Sequence, residues 1–470
     1  METNTLNQMQ KLPWKVKILY SSGDFAKTLL VIMTSAFSMF FYTDICGMDP
    51  KIVATIILIA KIWDFINDPM MGALVDRTRS KEGKCRIWLK YMSVPAGVVL
   101  ALNFIMPELT ATGKIVWVAV TYTLQGMAST ALLIPLNTMM GRLTTDPAER
   151  ATLNSVRGYY GIASNLVVGS ATIPMVMFFG KGDMQKGFLW VAIIYGIIYA
   201  LNHLLVFWGT RGYDGEAAES VKTTEASAPA LSEKTSFGTS LKAMLTNKPW
   251  LFCFMMYFTV MLASGITGTT SLYYFQYNLN RMDLYSPVQM ITLFASIPMY
   301  LFFPILVKKL GNAKVGVIGS VLGIIGNGLR YILADSSIVV LIGGNIIAAI
   351  GSILASSVIM LIIFDCGVYG EWKTGVANEA ILVSGYSVSY KVGMALATPI
   401  AGYLLGAVPY VANAPMQEES VLSLFFTENT LLPALGYVVS VIFAVLLIKY
   451  EKMVPQMRAE IAERKEKAQA

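Results

Sequence analysis

The sequence predicts an all-α membrane protein, with twelve transmembrane helices arranged as two six-helix bundles. Three observations carry that prediction. Hydrophobic residues make up 55% of the 470-residue chain and charged residues 14%, against about 25% charged in a soluble domain; the mean hydropathy is +0.58. Apolar stretches of roughly 20 residues, the length that crosses a bilayer, recur as six, then a long hydrophilic stretch, then six more. The charges between them alternate, with basic residues in every second loop.

The first set falls at about 24–44, 51–75, 88–106, 114–140, 155–179 and 188–209. Lys11, Lys15 and Lys17 precede it and no small-residue cleavage site follows, so the first helix is expected to remain uncleaved. The polar segment from about 210 to 247 contains SVKTTEASAPALSEKTS and reads as a flexible tether. The second set falls at about 249–278, 285–307, 313–333, 337–364, 380–406 and 429–449. The expected division is residues 1–209 for one bundle, 210–248 for a central loop, 249–450 for the other bundle and 451–470 for a tail. Two six-span bundles joined by a central loop resemble the major facilitator layout.

Basic residues crowd the N-terminus, the loop after span 2, the loop after span 4 (Arg142, Arg150), the central loop, the loop after span 8 (Lys308, Lys309, Lys314) and the tail. The opposite loops are short and carry Asp44, Asp49, Glu108, Asp335, Glu418 and Glu419. Positive loops stay inside, which puts both termini and the central loop in the cytoplasm. The net charge of +7 therefore reflects topology and a lipid bilayer, not nucleic acid. The four cysteines (46, 85, 253, 366) lack metal-ligand spacing, and the single His203 sits in an apolar run. With no nucleotide loop and no Ser–His–Asp set either, no enzyme, cofactor or obligate protein partner is indicated.

The stretch richest in chemistry is KIWDFINDPMMGALVDRTRSKEGKCRIW, from Lys61 to Trp88. Asp64 and Asp68 lie four apart in an apolar span, so they share one helix face about 6 Å apart along the axis. A carboxylate at mid-membrane costs about 3 kcal/mol unless compensated, and a mobile cation compensates it. Pro69 supplies no N–H to the carbonyl of Phe65, freeing it for a ligand, and Asn67 adds a side-chain oxygen. The competing reading is an Asp pair that only bonds to neighbouring helices. The basic loop that follows has the pattern Gly72, Asp76, Arg77, Arg79, Gly83, Lys84, Arg86. Gly72 would permit close helix approach and Asp76 with the arginines an interhelical charge network; the alternative is a plain topogenic loop. VKKLGNAK (Val307–Lys314) occupies the equivalent place in the second half, as a reduced repeat.

Several stretches together resemble the glycoside–pentoside–hexuronide:cation symporter family, to which the melibiose carrier belongs. They are Gly23-Asp24-Phe25, Phe41-Tyr42-Thr43-Asp44, Trp63-Asp64-Phe65-Ile66-Asn67-Asp68-Pro69, Tyr122-Thr123-Leu124, Ile134-Pro135, and Asp146 through Arg157. Asp365, Tyr369-Gly370-Glu371-Trp372-Lys373-Thr374-Gly375 and Lys391-Val392-Gly393 complete the set, which spans nearly the whole chain. The resemblance implies a cation site of Asp64, Asn67, Asp68 and Thr130, all hard oxygen donors suited to Na⁺; a buried carboxylate pair holds H⁺ equally well. No other cofactor is implied. It also implies a sugar site in which Asp24 accepts from sugar hydroxyls, Arg157 donates and Lys391 lies near both ligands, the alternative for Lys391 being snorkelling to an interface. Asn137, Tyr386, Ser387 and Tyr390 are further pocket candidates, although packing serves the tyrosines as well. Arg150, Asp365 and Glu371 are assigned to the cytoplasmic gate, the last two flanking a loop.

Three positions depart from the family pattern: Leu133, where many members carry Asp or Asn; Asn137, where an aromatic is usual; and Ala377, where Arg is frequent. The cation residues match while the sugar residues differ, which points towards an anionic sugar or an unusual glycoside. The expected activity is uptake of a sugar with Na⁺ or H⁺ across a bacterial cytoplasmic (inner) membrane. A cation-independent facilitator or exchanger is the alternative, and a transporter-like sensor a more remote one.

Overall fold

Helices begin where the sequence offers a cap. Asp49 Oδ1 accepts from the N–H groups of Lys51 and Ile52 at 2.8 and 3.3 Å, and Pro50 fills the first helical position, where no N–H is needed. Thr110, Asp183 and Asn247 cap three further starts in the same way. The computed structural model describes residues 12–144, 146–214, 244–333, 337–375 and 379–469. Among them the chain forms twelve helical rods and no strand.

In the first half these are α1 (Trp14–Ile45), α2 (Pro50–Arg77), α3 (Arg86–Asn103), α4 (Ala111–Leu143), α5 (Pro147–Gly180) and α6 (Met184–Gly209). In the second half they are α7 (Lys248–Asn278), α8 (Met282–Leu310), α9 (Asn312–Leu333), α10 (Ile338–Thr374), α11 (Glu379–Leu405), and a last rod in two pieces, α12 (Glu419–Asn429) and α13 (Leu431–Gln469). Nine rods are long and apolar enough to cross a membrane by length and composition alone. One that is not, α2, carries Lys61, Asp64 and Asp68 at mid-helix. The chain is a multi-pass membrane protein, and α2 has the charge pattern of a span that holds a ligand.

The rods divide into two compact units, Met1–Ala230 and Leu231–Ala470. In the first, Phe37, Phe41, Phe104 and Phe188 form a buried aromatic cluster, and Gly97 of α3 meets Gly196 of α6 so closely that a Cβ on either would strike the other's carbonyl. In the second, Gly319 of α9 and Gly351 of α10 pack backbone to backbone in the same manner. Small residues at such crossings let spans approach where lipid supplies no hydrophobic drive.

Each unit seals one turn with a carboxylate from its own last helix or just beyond it. Asp214, past the end of α6, accepts from the N–H groups of Cys85 and Arg86 at 2.6 and 2.8 Å and pairs with Arg142 of α4 at 2.9 Å. Glu451, on α13, accepts from the N–H groups of Asn312 and Ala313. In both turns a glycine of positive φ, Gly83 (105°) or Gly311 (89°), lies against the carboxylate. A carboxylate there satisfies orphan donors and meets the positive end of the helix dipole. The VKKLGNAK segment therefore does repeat the geometry of the first-half loop. Asp214→Ala is expected to cost about 3 kcal/mol by uncapping α3 and stripping Arg142 of its partner, read as a lowered Tm in detergent. An unchanged Tm would remove Asp214 from the architecture.

One expectation is corrected. Asp365 and Glu371 do not flank a loop: α10 continues as helix to Thr374 and stops at Gly375, whose φ of 74° suits the left-handed end of a helix. The polar tail is helical too. It prolongs α13 and docks on the end of α10, with Trp372 Nε1 donating to Glu460 Oε2 at 2.6 Å and Arg464 Nη1 to the Trp372 carbonyl at 2.7 Å.

Candidate functional site

α2 and α4 lie side by side in a constant register. Lys61 Nζ sits 5.9 Å from the Tyr122 ring centroid, Asp64 abuts Gly126, and Thr130 Oγ1 donates to Asp68 Oδ1 at 3.0 Å. The pairs 61/122, 64/126 and 68/130 advance together, so the two helices are parallel and both carboxylates face α4. A Cβ at Gly126 would collide with Asp64 Oδ1 where it stands, so the glycine leaves room for the carboxylate. α2 runs unbroken through Pro69.

Three of the four predicted cation residues, Asp64, Asp68 and Thr130, thus meet at one interface, and Asn67 lies on the same stretch of α2. Thr130 and Asn67 are buried, and the Asn67 Nδ2 has no partner among the described residues. The two ends of an amide exchange by a half-turn, which would present its oxygen instead. Gln125 Oε1, next to Gly126, is likewise buried and unpartnered. Two carboxylates and a hydroxyl meet there, with two buried amides on the same helices, and these are hard-oxygen donors suited to Na⁺; H⁺ needs only one of the carboxylates. Lys61 was not foreseen as a member. Its Nζ lies 3.5 Å from Asp64 Oδ2, and the i,i+3 spacing could have signalled it. Tyr122, Gln125 and Gly126 depend on the α2–α4 register and carried no such signal. Gly126→Ala is expected to push the Asp64 carboxylate aside and raise the half-saturating cation concentration about tenfold, roughly 1.4 kcal/mol. Cation-titrated uptake checks this, and an unchanged curve would take Asp64 out of the site.

The second cluster joins α1, α4 and α5. Arg157 grips Asp24 in a two-pronged bond, Nε to Oδ2 and Nη2 to Oδ1 at 3.1 Å. The same Nη2 reaches Asn137 Oδ1 at 2.8 Å, and Nη1 rests 3.7 Å from Met140 Sδ. The guanidinium lies over Tyr20, 5.7 Å from the ring centroid, while Tyr20 OH is anchored to the Leu136 carbonyl at 2.9 Å. Asp24 is buried and Asn137 exposed, so the cluster presents a polar amide edge above a neutralised ion pair. Leu133 is half-buried one turn before Asn137. Sequence reading singled out Asp24, Asn137 and Arg157 but not their mutual bonding, and it missed Tyr20 and Met140.

The second unit carries the other sugar candidates. Tyr390 stacks on Tyr257 with centroids 6.3 Å apart, and Lys391 is exposed on α11. The side chains of Tyr386 and Ser387, and Ala377 as a whole, lie outside the described residues.

The loop after α2 departs from expectation. Gly72 is not a close-approach glycine, since a Cβ there meets nothing within 4 Å; that role belongs to Gly83, pressed against Asp214. Asp76, Arg77 and Arg79 are exposed and make no ion pair among the described residues. Next to this loop the charge contact is Arg142 of α4 with Asp214, past the end of α6. Lys84 is half-buried beside it. Burial pushes the Cys85 thiol up to about 12, with the Asp214 carboxylate adding to the shift, so Cys85 is an inert packing residue. Arg150 donates to the Thr144 carbonyl at 2.9 Å. Asp365 accepts from Asn312 Nδ2 at 3.1 Å, with Arg458 at 4.0 Å, and Glu371 is half-buried on the same helix.

Comparison with known proteins identifies the family and the fold. Residues 19–452 match the family described as MFS/sugar transport protein. The chain is 30% identical over 459 residues to the isoprimeverose transporter of Lactiplantibacillus pentosus, covering 96% of this chain and 92% of that protein. It is 27% identical to the putative glycoside/cation symporter YagG of Escherichia coli K12, covering 88% and 87%. Among solved structures, a bacterial homologue of the iron transporter ferroportin in an inward-facing state superposes with a TM-score of 0.60 at 13% identity, covering 93% of this chain and 98% of that chain, which supports the fold alone.

Proposed function

Since the chain belongs to the MFS/sugar transport protein family, and is a secondary sugar transporter rather than an enzyme, we propose that it takes up a sugar or glycoside together with Na⁺ or H⁺ by alternating access. The observation that supports the coupling is the register of α2 on α4, which gathers Asp64, Asp68 and Thr130 at one interface. One positive charge crossing 100 mV releases about 2.3 kcal/mol, enough for roughly a fiftyfold sugar gradient at one-to-one coupling. Coupling requires that cation and sugar each favour the other's binding, because equal affinity in every state would transmit nothing.

The sugar is held at Asp24, Asn137 and Arg157. Arg157 already spends two N–H groups on Asp24, so its charge is balanced and the cluster suits a neutral glycoside. The setting we infer is a bacterial cytoplasmic membrane with both termini and the basic loops inside, on the strength of loop charge and of bacterial relatives.

One observation favours the cation-independent reading. Lys61 stands 3.5 Å from Asp64, both half-buried, and an ammonium of the chain's own can serve that carboxylate as a permanent counter-ion. Uptake of labelled neutral glycosides and a uronide into membrane vesicles separates the two, with an imposed Na⁺ gradient, a proton gradient, or neither. Accumulation driven by one cation is the expected result. Equilibration indifferent to both would make the Asp64/Asp68 pair structural and the protein a facilitator.

A further inference from the structure

Glu428 is a carboxylate that sugar and cation transport at the sites above do not use. It lies next to the end of α12 and is 1% exposed, and neither of its oxygens has a hydrogen-bond partner among the described residues. Val421, Phe425 and Glu428 are buried along one stripe of α12. Aromatic rings wall that stripe: Phe425 stacks on Tyr273 and Tyr277, with centroids 5.1 and 5.9 Å away, and meets Tyr410 edge-on at 6.2 Å.

The elements packed on α12 are α7, α9, α11 and α13, and none offers Glu428 a paired cation. α7 contributes Tyr273, Tyr274 and Tyr277, which are phenols. α9 contributes Tyr331 and the buried Arg330, whose Nη1 goes to Asn327 Oδ1 at 3.2 Å and whose Nε has no hydrogen-bond partner among the described residues, so Arg330 does not bond Glu428. α11 contributes Tyr403 and Lys391; Lys391 lies about two turns before Thr398, the hydroxyl that pairs with Thr269 of α7. α13 contributes the buried Tyr437. An ionised carboxylate in such a place costs several kcal/mol without a partner, whereas a protonated one is a neutral hydroxyl acid.

A break in the rod adjoins it. Thr430 leaves helical geometry, with φ −130° and ψ −71°, and Pro433 has no N–H to close a bond to the Asn429 carbonyl. Asn429 Nδ2 donates to Thr270 Oγ1 at 3.1 Å and to the Phe425 carbonyl at 2.9 Å, while its Oδ1 is buried and unpartnered. Polar atoms, an interrupted helix and a sealed acid therefore coincide. Discontinuous membrane helices are where ions are bound and released.

We propose that Glu428 is a proton-binding site of the second unit, separate from Asp64 and Asp68, which holds a proton in this conformation and releases it when the α12–α13 break opens to water. The step breaks only the carboxyl O–H bond: the proton passes to water and a carboxylate remains. The sealed conformation thus carries one proton more than the open one. Raising the pH draws the protein towards the open form, by up to about tenfold per pH unit.

Infrared spectroscopy of the full chain in lipid at neutral pH tests this without reference to which sugar or cation is carried. With glutamate isotopically labelled at its carboxyl carbon, wild type should show a protonated-carboxyl C=O band that shifts with the label, and Glu428→Gln should lack it. In Glu428→Asp the band should persist but no longer follow the glutamate label, which keeps the assignment testable if the glutamine variant does not fold. No such band in wild type, or a band unchanged in both variants, overturns the proposal. The pH dependence of downhill sugar flux should flatten in Glu428→Gln relative to wild type; identical pH profiles would overturn the release step.

Discussion

Asp68→Asn is expected to abolish uphill sugar accumulation while leaving downhill flux measurable. Asp68 is the carboxylate that α4 addresses directly, through the Thr130 hydroxyl at 3.0 Å. The substitution keeps the size of the side chain and an oxygen for Thr130 but removes the negative charge that attracts a cation. Opposite charges about 4 Å apart near a protein surface interact by roughly 4 kcal/mol, so a loss of about 3 kcal/mol is a reasonable size, about a hundredfold in cation affinity. The accumulation ratio under an imposed ion gradient should fall to unity. Thr130→Val leaves both charges and removes one donor, so it should weaken the cation about tenfold at most. Asp64 provides the contrast: Lys61 lies beside it, and Asp64→Asn should release the ammonium as well as weaken the site. Concentrative uptake surviving in Asp68→Asn would transfer the coupling ion away from the α2–α4 interface altogether.

Arg157→Ala should eliminate sugar binding and also destabilise the first unit. The substitution leaves Asp24 buried without the guanidinium that holds both its oxygens, and breaking a buried pair from one side costs about 3–5 kcal/mol. Asn137 loses its donor at the same time. Arg157→Lys keeps the charge but cannot reproduce the fork, so it should fold and bind sugar only weakly. The double variant Asp24→Asn with Arg157→Gln separates the two consequences. With both charges gone, the fold should recover much of its Tm, because no ion is left unpaired, while sugar affinity measured by calorimetry stays lost. Full affinity in that double variant would show the pair to be a structural tie and not a sugar site.

Much of this molecule is legible from short-range patterns. The positions of the rods follow from apolar length, and several of their starts from caps within three residues, as at Asp49-Pro50 or Asn247. That Asp64 and Asp68 share a face follows from spacing alone. The errors share one cause. Gly72 and Asp76 looked like the contact residues of the loop because their spacing matched a pattern, yet whether a glycine or a charge touches anything is decided by a partner far away in the chain. The partner that matters, Asp214, follows Gly83 by more than a hundred residues and bears no local mark of its role. The docking of the tail likewise has no local signal, because Glu460 and Arg464 are solvent-type residues until Trp372 is found beside them.

The sequence by itself determined the membrane class, the two sets of six rods and the residue types from which a cation and a sugar site could be made, because hydropathy, caps and helical spacing act over a few residues. Only the tertiary structure decided which of those residues meet. The parallel register that sets Gly126 against Asp64 and Thr130 against Asp68, the fork of Arg157 on Asp24, and the sealing of Glu428 without a partner all come from packing between helices distant in the chain, where side-chain volume and the cost of an unpaired buried charge select one arrangement.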